Sequence, residues 1–208
     1  KGGSSFKETL YVKDYVASET LKDTLKFAMN IVLFTFSLEG IGAIFIYFSI
    51  DDLSKLEHPI FFSIFHSISA FCNAGFSNAP DGLFNENLRF DYPFQWVIMF
   101  LIIFGGLGYN IVFNFYNYIK LYILNLFTKE HKKYLVRLLT LNSKIVMATT
   151  LLLLLAGFTF FYFSEGTNTL GEHHTAFGKI TATAFQAVTP RTAGFNTIDY
   201  SHLTMPSL

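Results

Sequence analysis

The stretch Phe65-His66-Ser67-Ile68-Ser69-Ala70-Phe71-Cys72-Asn73-Ala74-Gly75-Phe76-Ser77-Asn78 decides how this chain is read. An apolar segment ends in a glycine-centred turn, and polar loop residues follow. Downstream, Ala184-Phe185-Gln186-Ala187-Val188-Thr189-Pro190-Arg191-Thr192-Ala193-Gly194-Phe195-Asn196-Thr197 repeats the design, with Ala74-Gly75-Phe76 matched by Ala193-Gly194-Phe195 at an offset of 119. Self-similarity at a fixed offset marks an internal repeat. Each copy carries 14 fairly apolar residues before its turn, Pro59 to Cys72 and Ala176 to Thr189. That is too short to cross a bilayer and suits a segment that enters and turns back. Non-helical backbone at membrane depth is tolerated only where it is buried in protein or lines a water-filled cavity. A short helix whose C-terminal end points into such a cavity presents roughly half a negative charge there. The unwound carbonyls after it can replace a cation's hydration shell, and glycine allows the backbone geometry. The physical reading is a pair of loops from a cation selectivity filter. The plain alternative is two glycine C-caps ending short buried helices.

Composition agrees with a membrane setting. Of 208 residues, 51% are hydrophobic, 18% aromatic and only 14% charged, which is richer in apolar residues than an ordinary soluble domain. A formal net charge of zero gives no reason to expect nucleic-acid binding, and the basic residues cluster near the ends of apolar runs. The single Cys72 rules out an intramolecular disulfide. Lys1-Gly2-Gly3-Ser4-Ser5 is not a signal peptide. The expectation is a fragment that starts in a cytosolic loop and stops at Leu208, before the helix that should follow the second turn.

Residues 1–24, of mixed charge, suit a cytosolic loop or an interfacial segment. Phe27 to Ile50 supplies 24 mostly apolar residues, long enough to span with some tilt. Pro59 opens the first re-entrant helix, where a missing N–H costs little. Asn78-Ala79-Pro80-Asp81-Gly82 is a turn-rich loop. From Pro93 an apolar run reaches about Leu126, about 50 Å as one helix against a core of about 30 Å. It must tilt, break or project, and Gly105-Gly106-Leu107-Gly108 marks the bend. Residues 128–144 hold Lys129, Lys132, Lys133, Arg137 and Lys144 against Glu130 alone, which assigns a basic loop to the cytosolic side. Ile145 to Phe163 has no charge and spans. The second re-entrant helix runs from about His174 to Thr189. The expected fold is an all-α integral membrane protein of helix, re-entrant pore loop and helix repeats arranged around a pore: one repeat over 25–127, the next over 145–208 and incomplete.

Other residues are weighed in the same way. Glu39 lies mid-span, where an ionised side chain costs at least about 2.5 kcal/mol, so it should be paired, hydrated or protonated. A structural bond to the neighbouring repeat and a place in the ion path are its two readings. Gly40 and Gly42 suit close helix packing. Arg191 should point away from a cation path and support the turn from behind, holding carbonyls or a carboxylate. Gly105, Gly106 and Gly108 suit a helix crossing more than a hinge. Asn110 and Asn114 either face water or bond a neighbouring helix. Glu172-His173-His174 lacks a third ligand at metal spacing. His66 suits a satisfied packing residue better than a proton relay.

At Phe65 to Phe76 and at Thr189 to Thr197 the sequence resembles the second and third pore loops of the Trk/Ktr/HKT superfamily of potassium transporters, in particular the bacterial Trk/Ktr membrane subunits. The resemblance extends from about Leu25 to Leu208. It implies that four repeats each donate one loop, with glycine carbonyls ringing potassium, and that two of the four are present here. The implied cation-binding residues are Asn73, Ala74, Gly75 and Phe76 with Thr192, Ala193, Gly194 and Phe195, supported by Arg191. No metal beyond the transported K+ and no cofactor is implied. Glycine in all four loops accompanies potassium preference, and serine in the first loop accompanies sodium permeation; that loop is not in this chain. The family's gate loop belongs to the second spanning helix of the third repeat, which is also not in it. The resemblance further implies a multi-pass inner (plasma) membrane subunit, a homodimer with one pore in each subunit, and a cytosolic ring of nucleotide-binding regulatory subunits. A sodium-permeable relative on the same scaffold is the nearest alternative. A membrane-embedded enzyme is a third, for which Glu39 and His66 alone make no catalytic set.

Overall fold

The computed structural model describes residues 21–50, 56, 58–127 and 140–207, with backbone alone at 21–23 and 125–127. The expected N-terminal segment up to residue 20 and the charges Lys129, Lys132, Lys133 and Arg137 lie outside the described residues. The chain divides into two compact units, Lys1–Ser37 and Leu38–Leu208. The described part of the first is helix alone, with Ser37 bonding back to the Leu33 carbonyl at 2.6 Å.

Among the described residues all regular structure is helical. Helix α1 (Leu21–Ser49) contains the first long apolar run. Helix α2 (Pro59–Phe71) opens on its proline. It closes with paired backbone bonds, from Ala74 N to Ser69 O at 2.8 Å and from Asn73 N to Ala70 O at 3.1 Å, around Asn73 at φ 54°. That is the Schellman pattern, with asparagine in the left-handed position. Helix α3 (Tyr92–Leu107) begins at Asp91, whose carboxylate accepts from Phe94 N at 3.0 Å. It stops at Gly108, at φ 75° and ψ 161°, and α4 (Tyr109–Phe127) continues at 105° to it. The long apolar run from Pro93 therefore breaks at the glycine cluster, because Gly108 alone there takes up a backbone that a side chain would strain.

Helix α5 (Leu141–Glu165) begins four residues before Ile145, since the Thr140 hydroxyl accepts from Ser143 N at 3.2 Å; Lys144 thus sits in its first turn and not in a loop. Helix α6 (Ala176–Val188) is capped by Thr175 and gives way to a 3-10 turn, Thr189–Arg191, at Pro190. Thr24–Ser49 and Leu141–Glu165 are each long and apolar enough to cross a membrane, and α3 with α4 forms a third, bent candidate.

In the second unit α2 packs on α3, α6 on α5, and α3 on α6. Phe62, Ala70, Leu83, Leu88, Phe94, Ile98, Phe185 and Phe195 form the core. Outward faces stay apolar, with Phe48 79% and Phe163 80% exposed, a pattern suited to lipid and not to water. Two glycines permit the close approaches. A Cβ at Gly42 would lie 2.5 Å from Ser67 Oγ and 2.7 Å from Leu101 Cδ2, and one at Gly105 would run into the Phe71 carbonyl oxygen. Gly40 faces open space instead, so the packing expected of both glycines of α1 belongs to Gly42 alone.

Candidate functional site

Both apolar segments of the repeat are short helices that end at one place. Asn73 to Phe76 and Thr192 to Phe195 continue from them as non-helical backbone, with Gly75 at φ 71° and Gly194 at φ 75°. Gly75 is not the helix-ending residue that the capping alternative requires, whereas Gly194, at positive φ with its N–H on Thr189 O, closes the turn that ends the second segment. Asn73 terminates α2 two residues before Gly75, and Pro190 interrupts the second segment four residues before Gly194, whose N–H still reaches back to Thr189 O at 3.3 Å.

The two loops touch. Thr192 Oγ1 donates to Asn73 Oδ1 at 3.0 Å, a bond between residues that occupy the same place in the two copies. One residue further on, the Ala193 carbonyl oxygen lies over Gly75 so closely that a Cβ there would collide with it. At Gly194 a Cβ would meet nothing within 4 Å.

Hydroxyls behind the loops fix their far ends. Ser69 Oγ, in the last turn of α2, donates to Phe76 O at 2.7 Å. Thr189 Oγ1, just past α6, donates to Phe195 O at 2.6 Å, and Tyr200 bonds both that carbonyl and Gln186 Oε1. The phenylalanine carbonyls are thus tied into the scaffold. By contrast, among the described residues no protein group donates to the carbonyls of Asn73, Ala74, Gly75, Thr192, Ala193 or Gly194. Amide oxygens with no protein donor, at the C-terminal ends of two short helices, are free to accept from water or to coordinate a cation.

His66 is fully buried beside this site. Its Nδ1 lies 2.9 Å from Phe62 O, which can only accept, so Nδ1 carries the proton and Nε2 accepts from Ser77 Oγ at 2.8 Å. Ser77 in turn accepts from Ala79 N at 3.1 Å. Both ring nitrogens are satisfied, and the ring anchors the chain after the first turn.

Arg191 turns toward α5, but its partner differs from the expected carbonyl or carboxylate: Nη2 donates to the Thr150 hydroxyl at 3.3 Å. Glu39 likewise differs from the bond expected to the neighbouring repeat. Its carboxylate accepts from the thiol of Cys72, just past α2, at 3.7 Å, and its backbone carbonyl from Ser67 Oγ on α2 at 2.6 Å. Asn114 bonds a neighbouring helix start, donating to Thr140 Oγ1 and Ser143 Oγ, while Asn110 is exposed. Glu172 pairs with Arg89, and His173 is buried with its Nδ1 3.1 Å from the Tyr92 hydroxyl. Burial first, then the charges of Arg89, Lys179 and His174, push the His173 pKa down to about 4. With Trp96 Nε1 donating to Thr181 Oγ1 at 3.1 Å, these contacts bind the start of α3 and the residues just before it to α6 and the residues just before that.

Sequence reasoning missed the Asn73–Thr192 bond and the hydroxyls of Ser69 and Thr189. The first had a signal, since superposing the copies at the offset of 119 places two polar side chains together just before Ala-Gly-Phe. The second was visible only as a Ser or Thr near the end of each short helix.

A family model described as TrkH, a cation transport protein, matches residues 1–206. The chain is 32% identical over 201 residues to the Ktr system potassium uptake protein B of Bacillus subtilis, covering 95% of this chain and 41% of that protein. It is 30% identical over 204 residues to the potassium/sodium uptake protein NtpJ of Enterococcus hirae, covering 98% and 42%. It is also 30% identical over 206 residues to the Ktr system potassium uptake protein B of Vibrio alginolyticus, covering 98% and 42%. The chain therefore spans about two-fifths of the length of these relatives.

Proposed function

The chain belongs to the TrkH family of cation transport proteins, and from that premise we propose that it builds two of the loops lining the ion path of a potassium uptake transporter. The family is described as a cation transport protein, and the relatives are named as potassium or potassium/sodium uptake proteins. One observation carries the reading. Two helices too short to span deliver their C-terminal ends to one place, where two touching loops carry six amide oxygens that accept from no protein group among the described residues. A partly dehydrated monovalent cation suits such oxygens, and the helix ends favour its charge. In this reading the carbonyls of Asn73, Ala74, Gly75, Thr192, Ala193 and Gly194 face the ion, Phe76 and Phe195 anchor the loops, and Arg191 braces the second loop against α5. K+ is cargo; no resident cofactor is needed.

The path closes only with further loops supplied by the intact protein. Residues 25–127 form one repeat and 145–208 the start of the next, in a multi-pass subunit of the inner (plasma) membrane surrounded by lipid. That subunit forms a homodimer, and the basic segment 128–144 faces a cytosolic nucleotide-binding regulatory subunit. A second reading, sodium permeation on the same scaffold, is favoured by the potassium/sodium name of the Enterococcus relative.

The test measures K+ and Na+ uptake in potassium-uptake-deficient cells that express the intact protein. Gly75→Ser and Gly194→Ser should lower the K+ to Na+ preference of the protein that reaches the membrane, and Gly75→Ser should lower expression as well, because its Cβ would meet the Ala193 carbonyl. An unchanged preference for both would reduce these glycines to shaping the chain. A wild-type protein that carries both ions equally well would favour the sodium-permeable reading.

A further inference from the structure

We infer that Asn73 and Thr192 form a side-chain clasp that sets the spacing of the two loops, so that this pair, and not either backbone alone, fixes which cation the carbonyls fit. The inference rests on the ion-path reading above and gives these two side chains a positioning role within it. Thr192 Oγ1 donates to Asn73 Oδ1 at 3.0 Å. The orientation of the Asn73 amide is decided by its other neighbour: Phe71 O, which can only accept, lies 3.4 Å from Nδ2, so Oδ1 is left for the threonine hydroxyl.

Each end of the clasp is held by a different element. Asn73 is the left-handed residue that terminates α2, and the Phe71 carbonyl it bonds is also covered by Gly105 of α3. Thr192 follows Arg191, whose guanidinium bonds Thr150 on α5. The bond therefore ties the α2–α3 side to the α5–α6 side at the level where both chains unwind. The next contact along the loops is the Ala193 carbonyl on Gly75, which forms a second rung one residue deeper. Breaking the first rung frees the loops to separate at the second. In a site built from carbonyls, selectivity follows the number and field strength of the oxygens within reach of the ion, and both change when two loops move apart. The donor and acceptor occupy equivalent positions of the repeat, so the contact joins the loops at one height and acts across the path, not along it.

The experiment uses the intact protein in potassium-uptake-deficient cells and compares K+ and Na+ half-saturation for Thr192→Val, Asn73→Ala, the double variant and Thr192→Ser. Loss of one neutral hydrogen bond should lower K+ over Na+ preference on the order of fivefold in Thr192→Val and in Asn73→Ala. The double variant should fall no further than Asn73→Ala alone, which already lacks the clasp as well as its bond to Phe71 O, so that Thr192→Val has nothing left to remove. Thr192→Ser keeps the hydroxyl and should behave as wild type. The clasp is refuted if Thr192→Val reaches the membrane and keeps wild-type preference, if the two single effects multiply in the double variant, or if Thr192→Ser loses preference as Thr192→Val does. Should Gly75→Ser and Gly194→Ser alter preference while the clasp variants do not, only the clasp fails. Should neither set alter it, the ion-path reading fails and the clasp with it.

Discussion

Gly105 and Gly106 are adjacent in α3, yet alanine should act on them in opposite directions. At Gly105 a Cβ would run into the carbonyl oxygen of Phe71, a backbone atom at the end of α2 that the Asn73 amide also holds. Backbone fixed in this way cannot step aside as a side-chain tip can, so α3 must shift or the end of α2 must deform. Overpacking of this kind costs about 1–3 kcal/mol, while replacing glycine by alanine in a helix returns about 0.5–1 kcal/mol. The net expectation for Gly105→Ala is a loss of up to about 2.5 kcal/mol. At Gly106 the nearest atom, Asn73 Nδ2, would lie 3.9 Å from the new carbon, an ordinary contact. Gly106→Ala should therefore be neutral or stabilising by up to about 1 kcal/mol. Thermal unfolding of the purified intact protein in detergent reads the difference, with a lower midpoint for Gly105→Ala and an unchanged or higher one for Gly106→Ala. K+ uptake should fall for Gly105→Ala too, since Phe71 O is part of the support of Asn73. Equal midpoints for the two variants would refute the close approach of α3 to the end of α2.

Asp91→Ala removes the N-cap of α3 and should cost about 0.5–2 kcal/mol, read as faster amide exchange in the first turn from Phe94. His173 is buried neutral against Tyr92 and Phe90, with Arg89, Lys179, His174 and Glu172 the charged or titratable groups around it. Its pKa is lowered from 6.5 to about 4, so its contribution is complete above pH 6.5 and is lost as pH falls from there toward 4, where the buried ring must charge. The thermal midpoint of the wild type should drop across that window, and His173→Gln should flatten the drop; a slope that survives the substitution would clear His173 of it.

The fold was legible wherever one physical rule dominated. Pro59 and Gly108 punctuate the helices as proline and glycine should, and the long run from Pro93 could not remain one straight span. The two short apolar segments were legible because they repeat at a fixed offset. What escaped the sequence was pairwise and three-dimensional. Arg191 announces a polar partner but not that the partner is Thr150, because a guanidinium bonds a hydroxyl as readily as a carbonyl and α5 offers the hydroxyl. Glu39 demands a donor, yet Cys72, the weakest donor within reach of sequence reasoning, supplies it. Gly40 and Gly42 look equivalent in sequence, and only the position of Ser67 and Leu101 separates them. The candidate site divides in the same way: its glycines stand out in the sequence, whereas the hydroxyls of Ser69, Thr189 and Tyr200 that hold the phenylalanine carbonyls are three among many.

The central claim is that the backbone between Asn73 and Gly75, and between Thr192 and Gly194, contacts the transported ion. Crystals of the intact protein grown with Rb+ in place of K+ test it directly, through anomalous scattering from the heavier ion. The account predicts an anomalous peak within coordination distance of carbonyl oxygens from both loops, weakened in Gly75→Ser. Anomalous density elsewhere in the protein, with none beside these carbonyls, would contradict it.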